Sequence, residues 1–221
     1  KRKAFHILTR LDAVGGEINA YTTKEDVCIY ASFVKSDFSR ASELISDICF
    51  NSIYPEKEIV KEKEVVIDEI HSYLDAPSEL IYDDFEELMF KNHPLGKNIL
   101  GTVDSVRGLG QADLNSYAKK YFNPDNAVIS LVGNFSEKRA KEVLEKHFTE
   151  FEFDQETSLI EEFDYSYEPF SEINKKSNYQ AHILMGNQSY NYKNKNRRGM
   201  VLLNNVLGGP ALNSRLNLNI R

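Results

Sequence analysis

The amino-acid sequence predicts an α+β protein, one complete unit followed by the start of a second. Three patterns point there. Residues 17–34, "EINAYTTKEDVCIYASFV", alternate apolar and polar around Lys24-Glu25-Asp26, which reads as two strands or one long edge hairpin. Apolar residues recur at helical spacing in several segments, flanked by proline and glycine stops. Two short apolar runs, "AVISLVG" at 127–133 and "YQAHILMG" at 179–186, each read as a strand, and a helical pattern follows each.

The elements follow in order. "KRKAFHILTRLDAV" opens inside an amphipathic helix and stops at Gly15-Gly16, so further chain is expected upstream. Ser36 or Asp37 caps a helix carrying Phe38, Ala41, Leu44, Ile45 and Ile48 on one face. A longer helix enters at Pro55 and leaves around Asp75 to Pro77, because proline suits a first helical position and disfavours helix just before itself. Helices from about Ser78 to Lys91, Gln111 to Tyr121 and Ser136 to Phe148 complete the first unit, with His93-Pro94-Leu95-Gly96 as a turn. Residues 1–150 are thus expected as a first domain. An acidic linker at 151–172 and the start of a second domain at 173–221 follow, the latter with the helical segment "RRGMVLLNNVLGG".

Composition excludes several classes. The chain has 221 residues, 41% of them hydrophobic and 28% charged, which suits a domain with a real core. Its net charge of −7 (27 basic, 34 acidic) argues against a nucleic-acid or anionic-membrane surface. No apolar stretch approaches the roughly 20 residues of a membrane span. The two cysteines, Cys28 and Cys49, form no C-x-x-C pair and read as small buried hydrophobes. The five histidines lie at 6, 71, 93, 147 and 182, so neither H-E-x-x-H nor H-x-x-E-H is present. There is no G-x-S-x-G, no phosphate loop and no G-x-G-x-x-G.

One helix poses a question of its own. In "KEKEVVIDEIHSYLDAP", residues 61–77, Ile59 just upstream joins Val66, Ile70, Tyr73 and Leu74 in a stripe at ~100° per residue. Glu62 and Glu69, seven apart, project within ~20° of each other on that stripe. Carboxylates are rarely buried without a partner. Either they lean out to water, or they form an inward pair that meets an arginine or a metal. Periodicity leaves both open. His71 lies ~200° round the helix from Glu69 and reads as a surface residue.

"DAVGGEINAYTTKEDVCIYASF" followed by "EKEVVIDEI" resembles the inverted-zincin metallopeptidases, the group of pitrilysin, insulin-degrading enzyme and mitochondrial processing peptidase. "HPLGKNILGT", "YFNPDNAVISLVGNF" and "LLNNVLGGPALNSRLNLNIR" resemble later landmarks of that family in the same order. The resemblance implies a mostly antiparallel sheet with helices on one face, repeated in a second similar domain. It also implies a zinc-dependent endopeptidase acting on peptides or unfolded polypeptides. Glu69 corresponds to the zinc-binding glutamate, and Glu62 to a glutamate that orients a ligand or tunes the local charge. The H-x-x-E-H histidines and general base would lie just ahead of Lys1, so this chain alone is expected to be inactive and to hold zinc poorly.

By the same resemblance, Asn19, Ala20 and Tyr21 lie on the strand that receives substrate by edge addition. Arg221 corresponds to an arginine that stabilises substrate or its intermediate at a site in the facing half or partner subunit. The implied partners are a peptide substrate and a second subunit, in a homodimer or a heterodimer. Family members without zinc, acting as scaffolds or partner subunits, and a non-catalytic peptide-binding module are the alternatives.

Overall fold

The computed structural model describes residues 2–123, 126–149, 166–177 and 179–220. The chain divides into two compact units, Lys1–Tyr165 and Ser166–Arg221. Most of the expected acidic linker, residues 151–165, lies outside the described residues, and residues 166–172 form neither helix nor strand.

The first unit begins with α1 (Ala4–Asp12), β1 (Glu17–Thr22), β2 (Val27–Ser32) and α2 (Phe38–Phe50). The strands pair antiparallel, with Ala20 opposite Ile29 and Tyr21 opposite Cys28. The alternation breaks at Lys24-Glu25-Asp26 because Thr23 closes a turn there. Its Oγ1 accepts from the backbone N–H of Glu25 at 3.2 Å and of Asp26 at 2.9 Å.

Period-two alternation sends Ile18 and Ala31 to the same face, where they pack with Ile7, Phe33 and Ile48 around the buried Leu11, Ala41 and Leu44. Helices α1 and α2 therefore cover one face of the hairpin, and the opposite face carries the exposed rings of Tyr21 and Tyr30. The close passage from α1 into β1 depends on two glycines. Gly15 has φ +73°, and a Cβ on Gly16 would sit 2.8 Å from the Ser32 carbonyl oxygen.

The next elements are α3 (Glu56–Leu74), α4 (Pro77–Met89), α5 (Val103–Gly108), α6 (Gln111–Tyr121) and α7 (Glu137–Phe148). Helix α7 buries Val143 against α2, where the Ser46 hydroxyl donates to the His147 carbonyl at 2.5 Å. The stripe of α3 is covered only where a neighbour reaches it. Ile59 and Ile70 are buried, but Leu74, expected on the same stripe, is 54% exposed. The chain leaves the helix at Asp75 and turns into α4, so the last turn has no cover. Helix α5 escapes the periodicity because six residues carry too little pattern. It is set instead by a cap, in which Thr102 Oγ1 accepts from Ser105 N at 3.1 Å and Ser105 Oγ from Thr102 N at 2.9 Å.

Two expected strands do not form. Residues 127–133 run without a ladder, with Val128 and Val132 more than nine-tenths exposed. The run 179–186 in the second unit is likewise unpaired, leaving Ile183 and Met185 exposed. A strand exists only where a neighbour takes its N–H and C=O groups, and among the described residues β1 and β2 pair only with each other. The second unit's helices are α8 (Arg197–Gly208) and α9 (Arg215–Ile220), which pack on one another around the buried Ser214.

Candidate functional site

Helix α3 forms one wall of a cleft in the first unit, a space of about 1790 Å³. Phe5 and Ile7 of α1 face it from one side, and Ile99, Leu100 and Val106 from another. Glu62 and Glu69 line it together with Ile59 and Val66. Both glutamates are solvent-exposed. The stripe of α3 thus carries carboxylates because this part of it faces an open cleft rather than a closed core. An ionised carboxylate there keeps its hydration and carries no burial penalty.

Four acidic residues line the cleft: Asp47, Glu58, Glu62 and Glu69. Two are engaged. Asp47 accepts from Arg2 at 2.6 Å, and Glu58 pairs with Lys61 one helical turn on at 3.0 Å. Arg2 also reaches Glu43, which in turn accepts from Arg10 at 3.0 Å. Burial alone would raise the Glu43 pKa, but the hydrogen bonds and charges of Arg2 and Arg10 outweigh it and leave it lowered. Its bond to Glu43, first among the causes, holds the Arg2 guanidinium above its ordinary pKa. Nearby, Lys63 turns to the Arg107 carbonyl at 2.9 Å. Among the described residues, Glu62 and Glu69 make no hydrogen bond or ion pair. They are the acidic groups of the cleft left open to an added cation.

Among the described residues, no three His, Cys, Asp or Glu side chains converge as a metal site. One open carboxylate fits a single position of a two-histidine, one-carboxylate zinc set and does not fit the whole of it. The described residues therefore do not constitute a zinc site by themselves.

Asn19, Ala20 and Tyr21 sit in the middle of β1 and are exposed, but they do not line the cleft. Thr22, the last residue of β1, does. Asn19 Oδ1 accepts from Ala20 N at 2.8 Å, and the Tyr21 ring lies 6.1 Å from that of Tyr30. The edge of β1 away from β2 has no strand neighbour among the described residues. Arg221 lies outside the described residues. Sequence reasoning missed Thr22, Ile99 and Leu100. The last two fall in "HPLGKNILGT", whose resemblance to a family landmark was the available signal. No helix among the described residues is long and apolar enough to cross a membrane.

Residues 1–103 match the profile described as "Insulinase (Peptidase family M16)", and residues 109–221 match "Peptidase M16 inactive domain". The chain belongs to peptidase family M16. It is 34% identical over 220 residues to an uncharacterized zinc protease of Bacillus subtilis, covering 100% of this chain and 53% of that protein. Among solved structures, a peptidase M16 inactive domain from Pseudomonas fluorescens matches with TM-score 0.82 at 16% identity. That match covers 100% of this chain and 54% of the other. A protease from Helicobacter pylori matches with TM-score 0.64 at 22% identity, over 72% of this chain and 38% of that one. At those identities the two structures speak for the fold alone. The chain spans about half the length of the curated relatives it matches.

Proposed function

We propose that the full-length protein is a zinc-dependent metalloendopeptidase that cleaves peptides or unfolded polypeptides. The observation that carries this reading is the pair of unengaged carboxylates, Glu62 and Glu69, on one cleft of a chain that belongs to family M16. Zinc-protease names among the relatives support the metal.

In this reading Glu69 is one zinc ligand, and two histidines and a general base outside these residues complete the set. Glu62, one heptad earlier on α3, orients a ligand histidine or tunes the local charge. Phe5, Ile99 and Leu100 give the cleft apolar walls. Asn19, Ala20 and Tyr21 offer backbone N–H and C=O groups along β1 to an extended peptide, so the demand on substrate sequence is low. Arg221 serves a substrate or its intermediate in the facing half or in a partner subunit. The working form is a homodimer or a heterodimer with a second family subunit. The segment 109–221 matches the part of the family described as inactive, so the chemistry is assigned to residues 1–103.

The test is zinc content by elemental analysis, with cleavage of an unstructured peptide, on the full-length protein. The reading predicts about one zinc per chain and cleavage that a chelator abolishes and added zinc restores. A folded full-length protein without zinc or cleavage identifies a scaffold or partner subunit instead.

A further inference from the structure

Lys24 ties the turn joining β1 to β2 to other parts of the unit. Its ammonium lies 3.0 Å from Glu86 Oε2 and 3.8 Å from Asp83 Oδ1, both on α4. It also donates to the Lys97 carbonyl at 2.6 Å, a contact spanning 73 residues of chain. The Lys24 side chain is only 19% exposed, so solvent screens these contacts less than it screens a surface ion pair. Asp83 does double service, because its Oδ2 accepts from Asn98 Nδ2 at 2.5 Å. Asn98 Oδ1 accepts from Leu100 N at 2.8 Å and so shapes the loop.

The two ends of this network are cleft walls. Thr22, two residues before Lys24, lines the cleft that holds Glu62 and Glu69, and so do Ile99 and Leu100. Lys24, Asp83 and Asn98 therefore link the end of β1 to the wall formed by Ile99 and Leu100.

We propose that Lys24 is a positioning residue that fixes β1 against the wall at Ile99 and Leu100. An extended peptide lying along β1 then enters the cleft at a set distance from Glu69. This rests on the peptidase reading for its substrate, but not for the clamp itself. Lys24 touches no reacting atom. Its ammonium donates to a carbonyl and stands beside two carboxylates, and a side chain of similar length without charge or donors replaces none of these contacts. Asp83 and Glu86 would then face each other without the cation between them.

The experiment compares full-length wild-type protein with Lys24→Met and Lys24→Arg by amide hydrogen exchange and by steady-state cleavage of an unstructured peptide. In Lys24→Met, amides at 17–32 and at 97–101 exchange about tenfold faster, the loss of charge-assisted hydrogen bonds. Amides of α2 are unchanged. KM rises about tenfold with kcat within about twofold, and Lys24→Arg recovers most of both. Glu86→Gln, which keeps Asp83 on Lys24, gives a smaller change of the same kind and stands in should Lys24→Met not fold. Unchanged exchange at 97–101 overturns the clamp, as does a loss in kcat alone or a failure of Lys24→Arg to recover. A wild-type protein that cleaves nothing overturns the peptidase reading, while the exchange data still decide the clamp.

Discussion

Of the carboxylates on the cleft, Asp47 and Glu58 answer to Arg2 and Lys61, while Glu62 and Glu69 answer to none of the described residues. The same physics separates engaged from open groups elsewhere. Burial pushes the Cys49 thiol from 9.0 up to about 11. At pH 8 its thiolate is then about a hundredfold scarcer than at an ordinary thiol. Iodoacetamide at pH 8 is expected to label Cys49 about a hundredfold more slowly in the folded protein than in urea, read by mass spectrometry of the modified peptide. Glu43 gives a pH signature of the opposite kind. Its folded pKa lies below the ordinary 4.5, so its contribution to stability is present above that value. It is lost as pH falls through the depressed folded value. Thermal denaturation between pH 7 and pH 3 should show a smaller acid loss in Glu43→Gln than in wild type, and lower stability of the variant at pH 7. At this scale the sequence told which face of α3 holds Glu62 and Glu69, since seven residues make nearly two turns. It did not tell that the face opens onto a cleft, because periodicity reads a cleft wall and a core face alike.

Among the elements, legibility tracks how much of the determining contact is local. The hairpin at 17–32 follows from alternation plus the Thr23 turn, and α2, α3, α6 and α7 follow from apolar spacing, although the side-chain cap expected at Ser36 or Asp37 does not form. Helix α5 was invisible because its cap and its burial of Val106 carry it, with too few residues for a period. The runs 127–133 and 179–186 have strand composition, yet composition cannot supply a neighbouring strand. The core between α1, α2 and the hairpin gives a direct check. Leu44 is fully buried beside Leu11 and Ala41. Leu44→Ala should cost about 2–5 kcal/mol in urea denaturation, by lost transfer energy and the cavity left behind. A loss under about 1 kcal/mol would mean that α2 does not pack on the hairpin in this way.

For the whole molecule, the two units and the −7 charge set the frame, and the cleft of the first unit carries the chemistry assigned to it. Family membership reaches across the chain, with the first profile over 1–103 and the second over 109–221. That reach came from ordered motifs, which record what a family's site needs, rather than from any single pattern. The central claim is that Glu69 binds the metal and Glu62 supports it. It is tested most directly by zinc content and peptide cleavage of full-length protein carrying Glu69→Gln or Glu62→Gln. A neutral amide is a poor zinc ligand, so Glu69→Gln should lose metal and cleavage together. Glu62→Gln should weaken each by roughly 10–100-fold. Full metal and full cleavage in Glu69→Gln would contradict the assignment.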